Sequence, residues 1–246
     1  MKRKALQIIG ILALSLLLNC NPTSSNNNSN NSTTVTDADG NVYHTVTIGT
    51  QTWTVENLRT TKYNDGTAIP LVTDVTAWGN LTTPGYCWYN NDASTYKTTY
   101  GALYNWYTVN TGKLAPAGWH VPTDAEWTTL QNYLIANGYN YDGTTTGNKI
   151  AKAMAAKTNW ITDSADIGAI GNNLTTNNSS GFSALPGGYR NNVGNFGYVG
   201  VDGDWWSASA GNASFAYYRY LYYLDDNLGS SYGSKSCGFS VRLVRD

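Results

Sequence analysis

Glutamate is almost missing from this chain: Glu56 and Glu126 are its only two. Histidine is equally scarce, confined to His44 and His120. A glycosidase needs a carboxylate pair across its cleft, and here that pair would have to come from aspartates such as Asp202 and Asp204. Their spacing around Gly203 reads first as a turn. Neither histidine belongs to a metal-ligating spacing. His44 is expected on the inward face of a strand and His120 beside Trp119 before a helix, both as imidazoles bonded to backbone. The sequence contains no Gly-x-Ser-x-Gly elbow and no Gly-rich phosphate loop. Charged residues make up 13% of the chain and the net charge is −1. Without a basic stripe to neutralise phosphates, nucleic acid is excluded as a partner. No apolar run reaches the roughly 20 residues that cross a bilayer.

The longest such run, Ala5 to Leu18, follows the cationic start Met1-Lys2-Arg3-Lys4 and precedes Cys20. Its length and charge are those of a secretory signal. A cysteine directly after the apolar stretch resembles a bacterial lipobox, with Asn19 where Ala, Gly or Ser is commoner. The expectation is cleavage before Cys20 and a lipid anchor on it, with an ordinary signal peptide as the alternative. Residues 1–20 are thus the signal with its lipobox cysteine. The stretch 21–34 (NPTSSNNNSNNSTT) has no apolar side chain beyond Pro22 and reads as a solvated tether. Residues 35–246 form the folded domain, placed in the bacterial envelope, outer-membrane anchored and surface-exposed.

Aromatic usage is unusual, with 19 Tyr and 9 Trp against 4 Phe. Tyr and Trp join an apolar body to a polar tip, which suits an extracellular, loop-rich β protein. Once Cys20 is lipidated, Cys87 and Cys237 are left as a pair in an oxidising compartment. A bridge between them is the expectation, worth ~4–5 kcal/mol in the chain-entropy model; two separate buried thiols are the alternative.

Along the domain, Val42, His44, Val46 and Ile48 alternate with Tyr43, Thr45 and Thr47, predicting a strand that buries the first set. Trp53 and Val55 continue an apolar face on the return strand. Pro122-Thr123-Asp124-Ala125-Glu126 is a capping box, and Trp127, Leu130, Leu134 and Ile135 follow at helical spacing until Gly138. Ile150 to Lys157 predicts a second, Ala-rich helix. Beyond Asn159 the pattern reads as loops and short strands, closed by a strand with Phe239, Val241 and Leu243 on one face. The fold class is α+β.

Gly118 to Trp127 (GWHVPTDAEW), Gly181 to Arg190 (GFSALPGGYR), Trp205-Trp206-Ser207, Tyr218-Arg219-Tyr220-Leu221 and Gly238 to Arg242 (GFSVR) occur in that order. Together with the opening Asp39-Gly40-Asn41-Val42-Tyr43 they resemble the Fibrobacter succinogenes major paralogous domain, over about Asp37 to Asp246. The resemblance implies a secreted or lipid-anchored bacterial protein without an established biochemical activity. Relatives often carry cysteines where this chain has Ala115 and Leu243, which leaves Cys87 and Cys237 as the candidates for a bridge. A more distant similarity to formylglycine-generating enzymes implies a C-type-lectin-like domain with short twisted strands, two helices and long loops. Their cysteine pair has no counterpart between Ser209 and Tyr220, so the fold is expected to carry over and the oxidase chemistry is not.

Asn90-Asn91-Asp92, Asp202-Gly203-Asp204 and Asp225-Asp226-Asn227 offer oxygen ligands of the kind Ca²⁺ takes, although they read first as turns. No other cofactor is expected. The aromatic stretch from Tyr189 to Tyr232 has the chemistry of an adaptable binding surface. Its expected ligand residues are Tyr189, Arg190, Tyr198, Asp202, Trp205, Tyr217, Arg219 and Tyr223. Tyr198, Asp202, Trp205, Tyr217 and Tyr223 are expected exposed, and Trp206 in the core. The expected function is non-enzymatic binding of an extracellular glycan or protein. A structural envelope protein and a divergent hydrolase are the alternatives.

Overall fold

The computed structural model describes residues 34–162 and 166–246; the signal, Cys20 and the tether through residue 33 lie outside them. In chain order the elements are β1 (Thr34–Thr36), β2 (Val42–Ile48), β3 (Gln51–Thr54), α1 (Val75–Gly79), β4 (Tyr86–Cys87), α2 (Ala93–Tyr100), β5 (Leu103–Tyr104) and α3 (Trp106–Val109). They continue with β6 (Trp119–His120), α4 (Asp124–Ala136), α5 (Ala151–Met154), β7 (Tyr189–Arg190), β8 (Phe196–Gly197), β9 (Asp202–Ala210), β10 (Phe215–Tyr222), β11 (Gly229–Ser234) and β12 (Val244–Arg245). One sheet has the order β1-β2-β3-β12-β6 and a second the order β11-β10-β9. Neighbouring strands in both are antiparallel.

The first hairpin forms as the alternation predicts, but its buried face differs. Tyr43 and Ile48 are buried, Val46 is half-buried, and Val42 and His44 are exposed. Parity changes because β2 changes partner: Val42–His44 pair with β1, and Thr45–Ile48 with β3. Tyr43 goes inside because its hydroxyl is satisfied there, donating to Asp37 Oδ2 at 2.5 Å and accepting from the Arg59 N–H at 3.0 Å. His44, outside, meets a carboxylate rather than backbone: its Nδ1 lies 2.6 Å from Glu56 Oε1.

Helix α4 begins at the capping box, with Thr123 and Glu126 each satisfying the other's backbone N–H. Its buried stripe is Trp127, Leu130 and Leu134. Trp127 packs at 4.8 Å on Trp53, 5.9 Å on Phe182 and 6.5 Å on Trp205, measured between ring centroids. The second predicted helix is only the single turn α5. After Met154 the chain extends, and Ala155 bridges to Ala184. Helices α1, α2 and α3 have no helical signature in the sequence. They are short, and each is started by one capping side chain, Asp74, Asp92 and Asn105 respectively, with no long apolar stripe to announce it.

The closing segment buries Phe239, Val241 and Leu243, and equally Ser240, Arg242 and Val244, because it runs between the two sheets. Ser240 exchanges backbone bonds with β9, and Val244 pairs with both Trp53 and His120. The Arg242 guanidinium is fully buried. It donates to Asn57 Oδ1 and to the carbonyls of Thr54, Phe182 and Ser183 at 2.7–3.0 Å. Burial, opposed by Glu56, lowers its pKa to about 9. The region after Asn159 is largely loops and short strands, as expected, but it also holds two long strands, β9 and β10, nine and eight residues long.

Cys87 and Cys237 are free thiols, which corrects the expected bridge. Cys87 packs with Trp78, Tyr89 and Leu103, whereas Cys237 lies against a different apolar cluster. Burial pushes the first thiol up to about 12 and the second to about 11, so both stay protonated and poorly nucleophilic at neutral pH.

Candidate functional site

Strand alternation on β9 and β10 builds the site. The cross-strand pairs are Tyr222 with Asp202, Tyr220 with Asp204 and Tyr218 with Trp206. Side chains two apart share a face, so two aspartates and three tyrosines look the same way. Gly203, Trp205, Arg219 and Leu221 point to the opposite side, where Trp205 meets Trp127 of α4 and Arg219 pairs with Asp124. Gly203 is required there: a Cβ would lie 2.4 Å from the Trp205 ring. The Asp-Gly-Asp triplet is therefore strand and not turn.

Glycines also shape the near side. A Cβ on Gly229 would lie 2.1 Å from the Tyr220 ring, and one on Gly233 2.9 Å from the Phe239 ring, so both rings rest against bare backbone. The wall opposite comes from the β7–β8 hairpin. Gly188 (φ +61°) donates its N–H to the Asp202 carbonyl at 2.8 Å, and no Cβ fits there, 2.4 Å from the Gly197 oxygen. Tyr198 is left-handed at φ +67°, costly for an aromatic residue. Its carbonyl accepts from the N–H groups of both Val201 and Asp202 at 2.9 Å, which holds it there. The Tyr198 ring stacks on Tyr189 with centroids 5.3 Å apart and planes 15° off parallel.

These parts enclose a pocket of about 500 Å³, within the range of small-molecule sites. Tyr189, Tyr198, Tyr218, Tyr220, Tyr222 and Phe239 line it with aromatic surface; Asp202, Asp204 and Asp225 supply carboxyls, and Asn191, Gly233 and Cys237 complete it. Asp204 is only 4% exposed, and its Oδ2 has no hydrogen-bond partner among the described residues. Among the described residues none of the three carboxyls forms an ion pair. Burial, then the charge of Asp225, pushes Asp202 up to about 6. Burial, then Asp202, holds Asp204 well above the usual carboxylate range. Tyr189 and Tyr218 rise to about 12 through burial first.

Of the residues expected to bind ligand, Tyr189, Tyr198 and Asp202 meet in this pocket. The others do not. Arg190 is fully buried, donating to the carbonyls of Gly194, Val72, Thr73 and Asp74 and lying over Trp78 and Phe196. Arg219 is 4% exposed and donates to Thr128 and Asp124. Trp205, expected exposed, is 1% exposed and donates its indole N–H to Asn57 at 2.9 Å. Tyr217 is half-buried on the far face against Tyr232, and Tyr223 is half-buried against the core cluster that holds Trp127, Leu130 and Trp205. Trp206 is in the core as expected. Tyr218, Tyr220, Tyr222 and Asp225 were noted only as parts of aromatic and acidic clusters. The i, i+2 rhythm of Asp202/Asp204 and Tyr218/Tyr220/Tyr222 is the signal that would have grouped them.

His120 sits elsewhere, with Nδ1 2.5 Å from Asp246 Oδ1 and Nε2 2.7 Å from Glu126 Oε1. Its partners are carboxylates, not backbone. Burial alone would lower its pKa, but these two partners hold it above the ordinary value. Among the described residues no three His, Cys, Asp or Glu side chains converge to hold a metal ion, and no helix is long and apolar enough to cross a membrane. Asp92 of the first proposed Ca²⁺ cluster caps α2 instead.

These features define a mixed helix-and-strand domain, built on antiparallel sheets, with an aromatic, acidic pocket on one sheet face. The family model of the Fibrobacter succinogenes major domain matches residues 46–245, and the chain belongs to that family. No curated protein and no solved structure matches the chain.

Proposed function

We propose that this protein is anchored to the bacterial outer membrane by a lipid on Cys20, faces the exterior, and binds an extracellular ligand without transforming it. Its domain is read as C-type-lectin-like, and the tyrosine–aspartate pocket is its ligand seat. The observation that carries this reading is Asp204, a buried carboxyl with an unpartnered oxygen that lines a cavity walled by aromatic rings. A buried polar atom left without a partner costs free energy, and a bound ligand supplies the missing partner. The left-handed Tyr198 adds a second cost at the same place.

A glycan and protein array probed with the purified full chain tests the binding role, with Tyr220→Ala as control. Ligand retained by wild type and lost by the variant supports the pocket; equal binding by both removes it. Labelling cells with palmitate, for wild type against Cys20→Ala, tests the anchor, and equal label on both would sink it.

A second reading, hydrolysis, is favoured by one observation: Asp202 and Asp204 share the pocket face and both carboxyls are raised, as in sites that use acids near neutral pH. Turnover of chromogenic glycosides that disappears in Asp202→Asn and Asp204→Asn would replace binding by catalysis.

A further inference from the structure

We propose that the ligand of this pocket is an organic ammonium ion, held between the tyrosine faces and the carboxyls of Asp202, Asp204 and Asp225. The inference rests on the pocket being a binding site and names what it binds. Its first ground is charge. Three carboxyls line one cavity, and none forms an ion pair among the described residues. The two arginines nearest in sequence are committed elsewhere, Arg190 to four backbone carbonyls and Arg219 to Asp124 across the sheet. Among the described residues no Lys, Arg or His lines the cavity, so an anionic ligand would meet only like charge there.

The second ground is the unpartnered oxygen. Asp204 is 96% buried, from its 4% exposure, and Oδ2 lacks a hydrogen-bond partner among the described residues. An isolated buried carboxylate is strongly disfavoured, and a cation with N–H or polarised C–H groups relieves it. The third ground is the wall. Tyrosine faces attract cations through the ring quadrupole, most strongly where water is excluded. Tyr189 and Tyr198 form a stacked pair at one side, and Tyr220 lies against the bare backbone of Gly229 at the other. A metal ion fits poorly. It would need six to eight oxygens if Ca²⁺, no three ligating side chains converge among the described residues, and the space of about 500 Å³ suits an organic group. A neutral sugar could stack on the rings but would leave the carboxyls without a counter-charge; it is the competing outcome.

Binding of a cation must also move protons. Asp202, raised to about 6 by burial and then Asp225, is partly protonated near neutrality. The titratable groups around it are Asp204 on its own strand, Tyr218, Tyr220 and Tyr222 on β10, Asp225 after β10, Tyr189 and Tyr198 before it, and Cys237. None of these supplies a positive charge. A bound cation favours the ionised carboxyl, so protons are released and affinity rises with pH through about 6.

The test is calorimetry on the full chain with choline, tetramethylammonium and 3,3-dimethylbutan-1-ol, the uncharged carbon isostere of choline. Choline is expected to bind at least about tenfold more tightly than the isostere, equivalent to about 1.4 kcal/mol. Its apparent enthalpy is expected to depend on the buffer's ionisation heat. Asp204→Asn and, separately, Asp202→Asn are each expected to weaken choline by about tenfold or more while the melting temperature is not lowered. Equal binding of choline and its isostere overturns the inference, as does no cation binding at about 10 mM. An array ligand that depends on Tyr220 but is not displaced by choline also overturns it, while leaving the pocket as a binding site. Array binding indifferent to Tyr220→Ala removes the pocket reading itself.

Discussion

Replacing Asp202 by asparagine should make the protein more stable at pH 7.5 and leave it unchanged at pH 4. The side chain keeps its shape and loses its charge, and the backbone bonds from Asp202 to Tyr198 and from Gly188 to Asp202 are untouched. Burial, then Asp225, raises the carboxyl from 3.8 to about 6. At about 1.36 kcal/mol per pKa unit that is about 3 kcal/mol. Because the side chain is only partly buried, solvent screening reduces the figure to about 1–2 kcal/mol. The sign follows from linkage: with the folded pKa raised, the folded state holds its proton more tightly than the unfolded chain. The contribution is therefore fully present below about pH 4 and lost as pH rises through about 6. Asparagine does not titrate, so the variant escapes that loss. For a domain of this size the gain corresponds to roughly 2–8 °C in melting temperature. Thermal melts of both proteins between pH 4 and pH 8 measure it. A difference that is the same at every pH, or a variant less stable at pH 7.5, would refute the reasoning.

Trp205→Ala should cost about 3–5 kcal/mol in chemical denaturation, since the ring is 1% exposed among Trp127 and Phe182; a loss below about 1 kcal/mol would place it outside the core. Tyr198→Gly removes the left-handed strain at φ +67° and should gain up to about 1 kcal/mol, less what the lost stack on Tyr189 contributes. Pocket binding should weaken in the same protein, and unchanged binding would detach Tyr198 from the site. His120 has a raised folded pKa, so its contribution is present below about 6.5 and disappears as pH rises through the folded value. His120→Ala should therefore lose more stability at pH 5.5 than at pH 8.5, and denaturant titrations showing the reverse would contradict the carboxylate clamp.

What could be read from the residues follows how local the determining forces are. Thr123 and Glu126 bond to backbone three residues apart, so the start of α4 is written in five letters. The closing segment and the Gly-Trp-His-Val-Pro run are likewise local, and they carried the family. The face of β2 was not local: Tyr43 is inside because Asp37 and the Arg59 amide wait for its hydroxyl, and alternation alone ranks Val42 above it. Burial of Arg190, Arg219 and Arg242 was illegible for the same reason, since their partners are carbonyls and side chains up to 188 residues away. Doublets such as Trp205-Trp206, Tyr217-Tyr218 and Tyr222-Tyr223 hid the strands, because a sheet aromatic on both faces has no polar side to mark its period. The pocket was half legible. Tyr189, Tyr198 and Asp202 stand out by their chemistry, but the tyrosines that face Asp202 and Asp204 are identified only once β9 and β10 are paired.

That pairing also explains how one sheet holds both the costs and the gains. Asp204 and Trp205 are chain neighbours with opposite fates, one an unpartnered carboxyl toward the cavity, the other a ring sealed against α4. Cβ alternation separates them. The far face gains from Trp205, Leu221 and the Arg219–Asp124 pair, with a fully buried large apolar side chain contributing roughly 1.5–3 kcal/mol. The near face gives up about 1–2 kcal/mol at Asp202, and Asp204 is held there with its Oδ2 unpartnered. Because these residues face opposite ways, removing charge on the near side need not repack the far side, and their effects should add. The combination Asp202→Asn with Trp205→Ala tests this against the two single variants. Unfolding free energies that sum to within about 0.5 kcal/mol fit two independent faces; a larger deviation would mean that the pocket and the core beneath it are one cooperative unit, and that carboxyls which look costly in isolation help to hold the sheet together.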